Sequence, residues 1–130
     1  MAANPFDNED LFARAALEHW RHLGQELRHD IEQFNARGGS ASFSEVSQNE
    51  YQVSNSQSGL EVRIVADPQA HIARYDFVRR SDQSAGAPEG GILSMRAGKS
   101  GVEFYSADQP LTGEEARALL LDPVLSPPAM

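Results

Sequence analysis

Seven apolar residues near the start of the chain constrain its fold more than anything else in the sequence. Phe12, Ala16, Trp20, Leu23, Leu27, Ile31 and Phe34 recur at spacings of 4, 4, 3, 4, 4 and 3. At the helical pitch they form one band about 100° wide, as a helix with a single buried face requires. Asp7 or Asn8 supplies an N-cap, and Glu9 and Asp10 place negative charge where the helix dipole favours it. Gly38 and Gly39 offer the left-handed residue that ends such a helix. The spacing predicts a helix from about residue 9 to Arg37, after a loose leader over residues 1–8.

A helix with one apolar stripe needs a matching surface, and the residues that follow supply it. From Ser40 the hydrophobic period changes to two. Ala41 to Ser47 and Glu50 to Ser54 are short Ser-rich strands, and Asn55 to Gly59 is a turn. Leu60, Val62 and Ile64 alternate with Glu61, Arg63 and Val65. After the Asp67-Pro68 turn, Ala73, Tyr75 and Phe77 alternate with Arg74 and Asp76. Arg80 to Glu89 reads as a loop. Gly91 to Arg96 and Val102 to Ser106 read as a hairpin around Ala97 to Gly101. Thr112 and Glu115 form a capping box, opening a short helix from Gly113 to Leu121 that Asp122-Pro123 stops. Residues 122–130 then form a tail.

The expected fold is therefore α+β: a long N-terminal amphipathic helix packed on a roughly six-stranded antiparallel meander, then a short C-terminal helix. A chain of 130 residues forms a single domain. Its core should include Trp20, Leu23, Leu27, Ile31, Leu60, Val62, Ile64, Tyr75 and Phe77.

Composition narrows the function classes. Cysteine is absent, which excludes disulfides, thiolate nucleophiles and cysteine metal sites. The net charge of −8 disfavours nucleic-acid and anionic-membrane partners, which need a positive field. The first residues lack the basic and apolar regions of a signal peptide, and no apolar run is long enough to span a membrane. The expected address is the cytoplasm. Lys99 is the sole lysine among eleven basic residues, a bias typical of GC-rich bacterial genomes.

Several strings carry an echo of chemistry. Gly98-Lys99-Ser100 resembles the end of a phosphate-binding loop, but the glycine required five residues earlier is Leu93, and a strand follows instead of a helix. It reads as a hairpin turn. Glu18, His22, Glu26 and His29 share a helix face, opposite the apolar stripe, and read as a solvated surface of Glu–His pairs. Arg14, Arg21 and Arg28 lie seven apart, with Arg14 near Glu18 and Arg28 near Glu32. No nucleophile–base–acid set assembles, so neither a catalytic residue nor a metal or cofactor is expected.

A two-residue turn at Pro68-Gln69 would set Val62 opposite Tyr75, Ile64 opposite Ala73 and Leu60 opposite Phe77. It would also gather Glu61, Arg63, Arg74 and Asp76 on the outer face, with like charges directly opposed and unlike charges on the diagonals, so either the diagonals compensate or a second surface covers them. These four are candidate interface residues. The first strand lacks the proline and lysine that usually protect a sheet edge. Both features favour a non-enzymatic binding or interaction domain, working as a homodimer or with a protein partner. A second reading is a small-ligand binder or minor enzyme with a pocket between sheet and first helix, for which Tyr51, His71 and Tyr75 are the candidate polar groups. A third follows from general character. In small size, acidity and helix-plus-twisted-sheet plan the chain resembles type III secretion chaperones, without the middle helix those proteins insert between strands. That resemblance implies an acidic carrier of a secreted partner.

Overall fold

The computed structural model describes residues 9–79, 87–98 and 101–125. The chain forms α1 (Glu9–Ala36), seven strands and α2 (Gly113–Leu125). The strands are β1 (Ala41–Ser47), β2 (Glu50–Asn55), β3 (Leu60–Asp67), β4 (Ile72–Arg79), β5 (Gly91–Gly98), β6 (Gly101–Ser106) and β7 (Gln109–Leu111). All pair antiparallel in sequence order, so the sheet is a meander with β1 and β7 as its edges. The architecture is the α+β plan expected, with one strand more. The N-cap at Asp7 or Asn8, the leader, Lys99-Ser100 and most of the Arg80–Glu89 loop lie outside the described residues. Gly98 and Gly101 pair across the hairpin.

The apolar stripe of α1 faces inward: Ala16, Trp20, Leu23, Leu27 and Ile31 are buried, with Phe12 and Phe34 at its ends. They meet Tyr51, Val53, Val62, Ile64, Tyr75, Leu93, Met95 and Phe104 from one face of the sheet. All nine residues nominated for the core are buried. Gly38, at φ +96°, ends the helix as expected. Asn35 then binds the next element directly, donating from Nδ2 to the Ala41 carbonyl at 2.8 Å and accepting from the Ala41 N–H at 2.9 Å.

The structure departs from the sequence pattern at several points. Four residues, Pro68 to His71, join β3 to β4, because Asp67 accepts from the N–H groups of Gln69 and Ala70 and His71 adopts a left-handed φ of +54°. The register therefore moves by two: Val62 faces Phe77, Ile64 faces Tyr75, Leu60 faces Arg79 and Ala66 faces Ala73. A shift of two leaves every side chain on its original face, so the core survives the error. The charge quartet does not. Arg63 sits opposite Asp76 and donates to Glu61 at 2.7 Å; Glu61 is buried and faces Val78, and Arg74 faces Val65. The like-charge conflict is absent.

Strand β7 escaped the sequence reading because its three residues centre on Pro110 and show no alternation. Pro123 does not stop α2. The helix runs on to Leu125 because Val124 is fully buried, and its carbonyl accepts from Ser58 Oγ at 2.6 Å and Asn55 Nδ2 at 3.0 Å. The capping box at the other end is present: Glu115 N–H donates to Thr112 Oγ1, and Thr112 N–H to Glu115 Oε1. α2 lies beside α1 over β2 and β3, where Arg117 reaches Asp30 at 2.7 Å and Glu26 at 3.4 Å. The polar face of α1 is thus partly covered rather than wholly solvated.

Candidate functional site

The three candidate pocket residues take up separate positions. Tyr51, on β2, stacks on Trp20 at 4.3 Å with 16° between the rings, and its hydroxyl donates to the Trp20 carbonyl at 3.2 Å. Burial, with help from Glu45 and against Arg21, pushes its hydroxyl up to about 12. Tyr75, on β4, is also buried; its ring meets Phe77 edge-on, its hydroxyl abuts Gly91, and burial raises its pKa. Tyr51 also lines a groove between α1 and β1, and His71, in the β3–β4 turn, borders an apolar cavity. Its ring stands edge-on to Phe12 at 4.7 Å, and its carbonyl accepts from the Met95 N–H at 2.8 Å. Two tyrosines are framework and the histidine is rim.

The cavity beside His71 holds about 250 Å³ between the N-terminal half of α1 and the β3–β4 turn. Its walls are almost wholly apolar, from Leu17 and Trp20 on one side to Ala66, Pro68 and Met95 on the other. Trp20 lines it, and Tyr51, stacked on Trp20, lines a second, more polar groove of about 450 Å³ between α1 and β1. Arg21, Gly24 and Arg28 line that groove from the helix, and Phe43, Glu45 and Tyr51 from the sheet. The Arg28 guanidinium lies over the Phe43 ring, 5.2 Å from its centre. The arginine row is otherwise rearranged: Glu18 binds Arg21 at 3.4 Å instead of Arg14.

The outer edge of β1 completes this groove. In an antiparallel ladder, alternate residues direct both backbone polar groups to the same side. Asn35 occupies those of Ala41 on the side away from β2. The N–H and C=O of Phe43 and Glu45 therefore also point away from β2. Residues 44 to 47 are exposed, and the opposite edge differs in being short and interrupted by Pro110.

Among the described residues no group of three or more His, Asp or Glu side chains is placed to hold a metal ion. His19 lies on α1 against Phe104. Burial against Phe104 lowers its pKa, His22 lowers it further and Glu103 opposes. No described buried side-chain nitrogen or oxygen lacks a hydrogen-bond partner. No helix among the described residues is long and apolar enough to cross a membrane. Searches of protein-family models, curated proteins and solved structures found no match to this chain.

Sequence reasoning did not anticipate the part played by Asn35, the packing of Arg28 on Phe43, or the alanines around the first cavity. Asn35 lay at the end of a helix, where its amide would ordinarily be read as a C-terminal polar residue. Its signal was its distance from Ala41, six residues across the glycine pair.

Proposed function

We propose that the protein is a non-enzymatic interaction domain that pairs with a second copy of itself through the β1 edge, in the cytoplasm. The observation that carries this reading is the outward backbone of Phe43 and Glu45 beside the α1 groove, just before the ladder to β2 becomes irregular between Glu45 and Ser47. Two copies paired antiparallel about Ser44 would form hydrogen-bonded pairs between Phe43 of one and Glu45 of the other. Residues directly opposite each other in a ladder have Cβ atoms about 4.5–5.5 Å apart. Glu45 of the second copy would then stand beside Phe43, beneath the Arg28 guanidinium that already covers that ring. The pairing joins unlike charges and places them twice by symmetry, as an isologous interface requires. With the register corrected, the outer sheet face offers no charge conflict to relieve, so the edge is the stronger surface.

Light scattering tests the reading. The wild type should scatter at twice its 14.2 kDa chain mass at micromolar concentration. Glu45→Pro removes an outward N–H while leaving the ladder to β2 intact, so it should give a folded monomer. Arg28→Glu should also weaken association, and adding Glu45→Arg should restore it. A wild-type mass of 14.2 kDa throughout a dilution series refutes the proposal.

A further inference from the structure

The apolar cavity at the other end of Trp20 plays no part in edge pairing. It exists because small side chains meet across the seam: Ala13 and Ala16 on α1 face Ala66 on β3, where larger residues would close the gap. Its walls are held in place independently of any occupant. The Trp20 indole donates to the Gln48 carbonyl at 2.8 Å and stacks on Tyr51, while the His71 ring is braced by Phe12. A void this size, with walls already fixed, is preformed for an apolar group.

The polar residues in its lining are Arg14, His71 and Asn49. Among the described residues Arg14 has no acidic partner, because Glu18 is engaged by Arg21. Arginine presents a planar fork that matches a carboxylate with two parallel hydrogen bonds. Apolar walls with an exposed arginine in the lining match a molecule with a hydrocarbon tail and an anionic head. The volume lies below the roughly 300–1,000 Å³ of drug-sized sites, so the tail is short.

We infer that this cavity binds a small aliphatic carboxylate, with its tail between Trp20 and Ala66 and its head on Arg14 beside His71. A neutral alcohol of equal length would gain the apolar contacts but not the charged ones. Trp20 is the protein's only tryptophan and forms the cavity wall, so its fluorescence reports occupancy directly.

Titration with ω-bromooctanoate should quench Trp20 saturably, and ω-bromooctanol should bind about tenfold more weakly, the equivalent of about 1.4 kcal/mol. Arg14→Gln should bring the carboxylate down to the affinity of the alcohol. Ala66→Leu should fill the cavity and abolish quenching by both; Ala13→Leu, on the exposed side of the seam, provides the same test if Ala66→Leu does not fold. Glu45→Pro should bind the carboxylate as the wild type does, which separates this site from the edge. Absence of quenching, quenching that survives both filling variants, or equal binding of acid and alcohol overturns the inference.

Discussion

Gly24 shows at the residue scale how the helix and sheet are fitted together. A glycine inside a helix costs roughly 0.5–1 kcal/mol relative to alanine, so its position in the middle of α1 needs a compensating reason. That reason is Tyr51: a Cβ at Gly24 would overlap its ring, which is fixed by stacking on Trp20 and by its hydrogen bond to the Trp20 carbonyl. Gly24→Ala should therefore destabilise the protein by about 1–3 kcal/mol, as overpacking does, despite its better helix propensity. Urea denaturation measures this. A gain in stability would show that the Tyr51 ring yields freely.

Among the elements, the contact between α1 and β6 should be sensitive to acid. His19 packs on Phe104, with ring centroids 4.5 Å apart, and its folded pKa is below its usual value because burial disfavours the charged ring. The neutral form is favoured in the fold, so this contribution is fully present above the unfolded value of about 6.5. It is lost as pH falls through the folded value. The urea midpoint should therefore drop on acidification below about pH 6.5, and His19→Gln should flatten that part of the profile. Equal slopes in both proteins would assign the effect to other groups.

Legibility followed the same division between elements. Helix α1 and the capping box of α2 could be read because each repeats a local spacing that needs no partner. The β3–β4 register could not, since Pro68 suits both a short and a longer turn, and the left-handed His71 leaves no mark in composition. β7 holds only because β6 lies beside it. The β1 edge was recognisable from its missing proline and lysine. A pocket between sheet and first helix with His71 beside it was an expectation from the sequence; its apolar lining was not, because it needs Ala13 and Ala66 to meet, and that depends on tertiary packing.

For the whole molecule, both helices cover one face of the sheet, and β1 and β7 close its ends unequally. The interaction reading has a thermodynamic signature at this scale. Only folded chains can pair through β1, so the thermal midpoint should rise with protein concentration. It should be independent of concentration in Glu45→Pro. A concentration-independent midpoint in the wild type, over a range that scattering reports as dimeric, would place association outside the folding equilibrium.

The tie between α2 and the β2–β3 turn also bears on the order in which the molecule is assembled during synthesis. Each hairpin of the meander joins neighbours in sequence and can close as it emerges, since short loops cost little entropy. Trp20 finds its cover 31 residues later, at Tyr51. The Val124 carbonyl, by contrast, meets Asn55 across 69 residues. Until it does, the parts of β2 and β3 that lie under α2 lack their cover, and the apolar side chains there stay open to other chains. A nascent protein stalled before α2 is therefore at its most adhesive, and the two hydrogen bonds on Val124 mark the end of that interval.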